Sequence, residues 1–312
     1  MKWIWAFMAV TLVNGQTPCV PASQQKLVIY RAGSLTRAFA PLVKGFTCKT
    51  GIQVNDVAMG SVDAGRQITA GGIPADLYAP ADYLDIDLLM KPAGYASFNI
   101  VFARGRMVLA YSAKKTASLN AAKWYEALTA QGATVGSGNA FLDPGAYRAP
   151  MIFQLAEAYY KVPNLYNTLL GHVVIPSAGS TFQLTYEHNA RATAKTDPDY
   201  KYIDLPAEID MSDPAKDVWY KQNAVVVIPG LGTPKSARAV AIPGNHVAWG
   251  ITLMNEAPNK ENAIKFLELL LSSDGITSLR ENGPDPLTPA EVSADDFKRL
   301  PERLKPLVRV RK

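Results

Sequence analysis

Leu27-Val-Ile-Tyr-Arg-Ala-Gly-Ser-Leu35 is the stretch whose reading decides the fold. Four strand-favouring residues, Leu27 to Tyr30, run into Ala32-Gly33-Ser34. A helical pattern follows at once, with Leu35, Phe39, Leu42, Val43 and Phe46 recurring at three- and four-residue steps. A buried strand that turns through glycine into a helix leaves the first helical N–H groups pointing into open space. Those amides and the helix dipole together favour an anion. Ser34 is predicted at the N-cap, where its hydroxyl either satisfies one amide or turns outward to a ligand. The same order of strand, glycine, serine and helix returns at Ile52–Ala58, Gly60 and Ser61.

The rest of the chain extends this α/β pattern. Pro74–Ala79 reads as a strand, Asp82–Leu89 as a short helix and Arg106–Ser112 as another strand. The pattern then restarts. Gly136-Ser-Gly-Asn-Ala-Phe-Leu-Asp143-Pro144 is a loop closing on a helix, with Asp143 at the N-cap and Pro144 at the first helical position. A passage between helix and strand ends in Tyr186-Glu187-His188. Residues 195–223 are polar and Pro-rich and read as excursion and linker. Ala224–Ile228 and Val247–Leu253 are strands, Asn259–Leu271 a helix, and the proline-bearing tail is predicted to wrap the surface. Alternation at this spacing predicts two α/β lobes, each a mostly parallel sheet flanked by helices. Lobe I takes residues 26–112 and 236–312, with lobe II, residues 113–235, inserted. The chain is expected to cross between them near Ser112 and again near Ile228 to Arg238.

At 312 residues and 48% apolar composition, the chain can bury a large core. Its net charge of +5 is spread along the chain, which suits an anionic small ligand or a nearby anionic membrane surface. No basic run interleaved with aromatics suggests nucleic acid. Residues 1–15 combine one lysine, an apolar run too short to span a bilayer and a cleavage site at Val13-Asn14-Gly15. They read as a secretory signal peptide, placing the mature protein in a periplasm or outside the cell. The two cysteines, Cys19 and Cys48, are disulfide candidates in such a compartment, with lipidation of Cys19 the weaker alternative.

Ligands of open α/β sheets bind at the carboxyl ends of strands, where helices begin. Two lobes facing across a hinge bring the helix starts at Ser34, Ser61 and Asp143 together. Val28–Leu35, Gly60-Ser61-Val62 with Arg66, Pro74-Ala75-Asp76, Leu142-Asp143-Pro144 with Tyr147-Arg148, and Tyr186-Glu187 occur in order. Ala257-Pro258-Asn259 and Glu281-Asn282-Gly283 follow. From about Lys26 to about Val308, this set resembles the tungstate/molybdate-binding proteins of ABC importers, especially the archaeal-type branch. The resemblance implies a two-lobe periplasmic-binding-protein fold of type II with its ligand cleft at the hinge. It implies a molybdate or tungstate ligand, a membrane-embedded ABC permease as partner, a monomer, and no resident cofactor. It assigns Ser34 and Ser61 as hydroxyl donors, with amides near Gly145, Ala146 and Tyr147 assisting. Asp143 and Glu187 become carboxylates that coordinate the metal of the oxyanion.

That assignment has a physical rationale. A carboxylate facing a dianion repels it, unless the carboxylate binds the metal itself. Molybdenum(VI) and tungsten(VI) are hard centres that accept further oxygen ligands, as sulfur and phosphorus do not. Plainer roles stand beside it: Asp143 as an N-cap only, Glu187 as a surface or ion-pairing carboxylate, and Arg148 as the partner of a carboxylate. Asp143-Pro-Gly-Ala-Tyr-Arg148 departs from the family's Asp-Pro-Cys-Gly-Tyr-Arg, and His188-Asn189 replaces a commoner Tyr/Lys-Ser. Another tetrahedral oxyanion, sulfate or phosphate, is the alternative ligand. His172, His188 and His246 lack metal-ligand spacing. Ser112-Ala-Lys-Lys115 and Lys49-Thr-Gly51 match enzyme motifs only in reversed order, so the chain reads as a binding protein and not an enzyme.

Overall fold

The computed structural model describes Cys19 and residues 23–116, 119–232 and 238–311. The signal peptide expected at residues 1–15 lies outside the described residues. The chain begins with β1 (Lys26–Ala32), a 3₁₀ turn (Gly33–Leu35) and α1 (Thr36–Thr50), then β2 (Gln53–Met59), α2 (Ser61–Thr69) and β3 (Leu77–Ala79). Of the predicted stripe, Leu35, Phe39, Leu42 and Phe46 are buried, joined by Ala38, while Val43 is half-buried. Gly51, at φ 69°, ends the helix in the left-handed conformation that glycine adopts without strain. Cys48 near the end of α1 is bonded to Cys19, with the Cα atoms 5.0 Å apart.

Next come β4 (Ile100–Arg104), β5 (Met107–Ser112), α3 (Trp124–Leu128), β6 (Val135–Gly136), α4 (Pro144–Tyr160), α5 (Leu165–Leu170) and β7 (Val173–Val174). They are followed by β8 (Phe182–Tyr186), α6 (Glu187–Ala194), β9 (Tyr200–Asp204), α7 (Asp217–Asn223), β10 (Val225–Pro229) and β11 (Ala239–Pro243). The chain ends with β12 (Ala248–Leu253), α8 (Lys260–Leu271), α9 (Ser273–Asn282), β13 (Asp285–Val292), α10 (Ala294–Arg299) and β14 (Val308–Val310).

Two sheets organise two lobes. One runs β14-β13-β4-β12-β3-β1-β2 and the other β7-β6-β8-β5-β9, while β10 and β11 form a separate hairpin. Both sheets are mixed rather than mostly parallel. The βα units at β1, β2 and β3 pair in parallel, as do β6, β7 and β8. The strands flanking the connections, β4, β5 and β12, pair antiparallel to their neighbours.

The crossing points also differ from those expected. β5 pairs along its whole length with β8 and β9, so the chain leaves the first sheet between Arg104 and Met107, before Ser112. It rejoins that sheet only at β12, past the expected return, because β11 is paired with β10.

The stretch read as linker carries β9 and α7, and Tyr220 of α7 is buried. The tail does not merely wrap the surface. β13 and β14 extend the first sheet, burying Ala290 and Val292. Its prolines are accommodated because the β13–β4 register shifts between Pro286 and Glu291. Phe39, Phe46 and Phe266 pack together beneath the first sheet, with ring centroids 5.4–5.9 Å from Phe266. Among the described residues, no helix is long and apolar enough to cross a membrane.

Candidate functional site

Ser34 lies inside the 3₁₀ turn that precedes α1, not at a helix N-cap as expected. Its surroundings polarise it more specifically than a cap would. Trp249, on β12, donates its indole Nε1–H to Ser34 Oγ at 3.0 Å. An oxygen that already accepts from an indole keeps its own hydrogen free to give, so the Ser34 hydroxyl can still donate to a ligand. Ser61 repeats the arrangement. Its Oγ accepts the backbone N–H of Ala81 at 3.0 Å, again leaving the hydroxyl proton to donate, and the residue is fully buried. Ser61 is the first residue of α2 and Gly60 its cap.

The helix start at α2 is not open. The amides of Val62 and Asp63 donate to the Leu142 carbonyl, at 3.1 and 3.2 Å, from the loop that precedes α4. Leu142 approaches so closely that a Cβ on Gly60 would lie 2.6 Å from its oxygen, which is why this position needs glycine. The two lobes therefore meet beside Asp143, which caps α4 as expected. Its Oδ1 accepts Gly145 N–H at 2.6 Å, and its carbonyl accepts Ala146 and Tyr147 N–H. The amides expected to face an anion are thus held by Asp143 itself. Burial raises the Asp143 pKa above the usual carboxylate range, against the lowering pull of the Gly145 amide and Arg148.

A cavity of about 310 Å³ opens between Ser34 and Ala81 on one lobe and Asp143 and Ala146 on the other. Ser137, Tyr186 and Asn189 complete much of its polar wall. Of the expected site residues, Ser34, Asp143 and Ala146 line it together. Ser61 stands directly behind Ala81, through the hydrogen bond just described.

Tyr147 and Glu187 do not line the cavity. Tyr147 is wholly buried and donates its hydroxyl to Asp82 at 2.9 Å. Glu187, the first residue of α6, turns to Arg191 (3.3 Å) and to the Tyr202 hydroxyl (3.4 Å). Arg148 pairs with a carboxylate, as its plainer reading held: it lies 3.0 Å from Asp82, with both side chains fully buried. It also donates to the Ala81 carbonyl (3.0 Å) and the Tyr186 hydroxyl (2.6 Å). Burial and the neighbouring Asp82 raise the pKa of Asp85 well above the usual carboxylate range, against the lowering pull of Arg148 and the Tyr147 hydroxyl.

Sequence reasoning missed Trp249, Asp82 and Tyr186 as parts of the site. Tyr186 had a signal, since it immediately precedes Glu187; Trp249 had none, being 215 positions from Ser34. His188 forms a further link between lobes, with Nε2 3.1 Å from the Ser34 carbonyl and its ring 5.2 Å from Trp249.

Burial lowers the His188 pKa to about 4. The folded form thus resists a proton that the unfolded chain takes up near ~6.5. Its contribution is complete above that pH and is lost as pH falls toward 4. Denaturant unfolding at pH 7 and in mild acid is expected to show about 2–3 kcal/mol of this loss, reduced by His188→Gln.

The profile of the family described as "Bacterial extracellular solute-binding protein" matches residues 27–284. The molybdate/tungstate-binding protein WtpA of Pyrococcus abyssi is 32% identical, over 92% of this chain and 90% of that protein. Its namesake from Thermococcus kodakarensis is 29% identical, over 91% and 88%. Among solved structures, the sulfate-binding protein SubI of Mycobacterium tuberculosis superposes with a TM-score of 0.62 at 14% identity, covering 85% of this chain and 88% of its own. The periplasmic molybdate-binding protein of Azotobacter vinelandii does so with 0.58 at 15%, covering 84% and 99%. At such low identity these two likenesses speak for the two-lobe fold alone. The extent of the profile match and the identity to the Pyrococcus protein go further: the chain belongs to the bacterial extracellular solute-binding protein family.

Proposed function

We propose that this protein captures molybdate or tungstate outside the cytoplasm and delivers it to an ABC permease, without chemically altering it. One observation carries the reading. The Ser34 hydroxyl, which accepts from Trp249 and keeps its own proton to donate, shares one interlobe cavity with the buried carboxyl of Asp143. A donor suits the anion's oxygens, and a carboxylate beside a dianion suits only a centre that accepts an extra oxygen ligand. The names of the Pyrococcus and Thermococcus relatives favour the same ligands. No resident cofactor is required, because the metal arrives inside the cargo. Residues 1–15 serve as the export signal, and the mature protein acts as a monomer.

In this reading Ser61 joins Ser34 as a donor when the anion settles against Ala81. Glu187 must leave Arg191 and Tyr202 to become a second oxygen ligand. Its present pairing favours a second reading, in which a single carboxyl, Asp143, meets sulfate or phosphate as a protonated donor.

Isothermal titration of ligand-free protein with tungstate, molybdate, sulfate and phosphate separates the two. Tight binding of the first two with sulfate silent supports the proposal, and sulfate binding as tightly as molybdate sinks it. In the same assay Trp249→Phe is expected to weaken tungstate by about five- to tenfold. The ring volume is largely kept, but Ser34 loses the bond that aims its proton, a contribution of about 1 kcal/mol.

A further inference from the structure

Three strands of this chain run out into a Gly-Ser pair: β1 into Gly33-Ser34, β2 into Gly60-Ser61 and β6 into Gly136-Ser137. The first two lie in lobe I. The third lies in lobe II, where β6 pairs in parallel with β7 and β8. Ser137 therefore stands at a carboxyl strand end, as Ser34 does on the facing lobe.

Ser137 lines the same cavity as Ser34 and Asp143. Of the serines and threonines there it is the most enclosed, at 9% exposure, while Ser34 and Thr185 are half-buried. Its Oγ nonetheless stays accessible and makes no hydrogen bond among the described residues. The backbone that carries it is pinned. Ser137 N–H donates to the Val174 carbonyl at 3.0 Å. A Cβ on Gly136 would strike Ser180 and lie 2.8 Å from the Ser177 Cβ, so this strand end fits tightly against the turn before β8. A Cβ on Gly138 would lie 3.5 Å from the Ala146 Cβ, which sets the loop against the start of α4, beside Asp143. A hydroxyl on so fixed a backbone loses little freedom on meeting a ligand.

The lobe II contacts expected from the resemblance are otherwise engaged. The Gly145 amide is taken by Asp143 Oδ1, and the Ala146 and Tyr147 amides by the Asp143 carbonyl. Glu187 faces Arg191 and Tyr202. A ligand draws two lobes together only by what it gains in the closed arrangement, so it needs a partner on each. On lobe II, Ser137 is an enclosed hydroxyl with its proton still to give.

We infer that Ser137 is a third hydroxyl donor to the bound anion, from lobe II against Ser34 and Ser61 from lobe I. This role rests on the cleft being an oxyanion site, whichever oxyanion fills it, because a hydroxyl meets the oxygens and not the central atom. Asp143 chooses the centre. Ser137 adds affinity and ties the anion to the second lobe.

The test is isothermal titration of wild type, Ser137→Ala and Ser137→Cys with tungstate, molybdate, sulfate and phosphate, with thermal melts of the ligand-free proteins. Neither substitution touches the backbone bond to Val174, so the melts are expected to match wild type. Both variants should bind the anion that wild type prefers about tenfold more weakly, since alanine removes the donor and a thiol is a poor one. Affinity within about twofold of wild type in Ser137→Ala overturns the role. So does wild-type affinity in Ser137→Cys, since side-chain volume and not the hydroxyl then accounts for any loss in alanine. A wild type that prefers sulfate removes molybdate and tungstate as cargo, and the same comparison, made with sulfate, still decides the role of Ser137. A wild type that binds none of the four anions overturns both.

Discussion

Arg148→Met is expected to lower the free energy of unfolding by about 3–5 kcal/mol, read from chemical denaturation. Arg148 and Asp82 are both fully buried at 3.0 Å, and they come from opposite lobes. Removing the guanidinium leaves Asp82 as an uncompensated buried charge and costs the Tyr186 hydroxyl its partner. Neighbouring groups soften little of this. Tyr147 still donates to Asp82, and so does the Leu84 amide, but neither carries positive charge. Asp85, a further carboxyl beside Tyr147, supplies none. The double variant Asp82→Asn/Arg148→Met is expected to recover most of the loss, because it removes both charges together. A double variant as unstable as Arg148→Met alone would show that packing, not the ion pair, dominates there.

The same region shows where sequence reading stops. The βα unit at Leu27–Leu35, the α1 stripe and the Asp143-Pro144 helix start were legible because each depends on residues within one turn of one another. The role of Arg148 was legible in kind, as a carboxylate's partner, but not in identity. Asp82 lies 65 positions from Tyr147, and only the facing of two lobes brings them within 2.9 Å. The crossing near Ser112 was misplaced for a related reason. Met107–Ser112 has the same apolar strand pattern whichever sheet it joins, and its partners β8 and β9 decide the matter. Antiparallel pairing was illegible too, since buried strands of either direction read as continuous apolar runs. Glu187 illustrates a different limit. Its position at the start of α6 is legible, but its side-chain direction rests on local competition with Arg191, one helical turn away.

Asp143→Ala is expected to weaken tungstate and molybdate by about a hundredfold or more, corresponding to roughly 3 kcal/mol of binding. The change removes two things at once: an oxygen ligand in the cavity and the N-cap of α4, the latter worth about 1 kcal/mol of stability. Asp143→Asn separates them. Its amide oxygen can still accept the Gly145 N–H, so α4 stays capped, while the anionic oxygen is gone. If Asp143 coordinates the metal, Asn should bind tungstate nearly as poorly as Ala. If Asp143 instead donates a proton to the oxyanion, Asn offers an N–H in its place and should retain most of the affinity. The pH dependence carries the opposite signs. Burial raises this pKa, so a metal-coordinating carboxylate loses affinity as pH falls through the raised value. A donating carboxyl loses affinity as pH rises through it. Tungstate affinity that climbs with pH in the wild type and is flat and weak in Asp143→Asn identifies the carboxylate as the metal's ligand. Affinity that falls with pH and survives in Asp143→Asn assigns the cleft to a plain oxyanion held by hydrogen bonds alone.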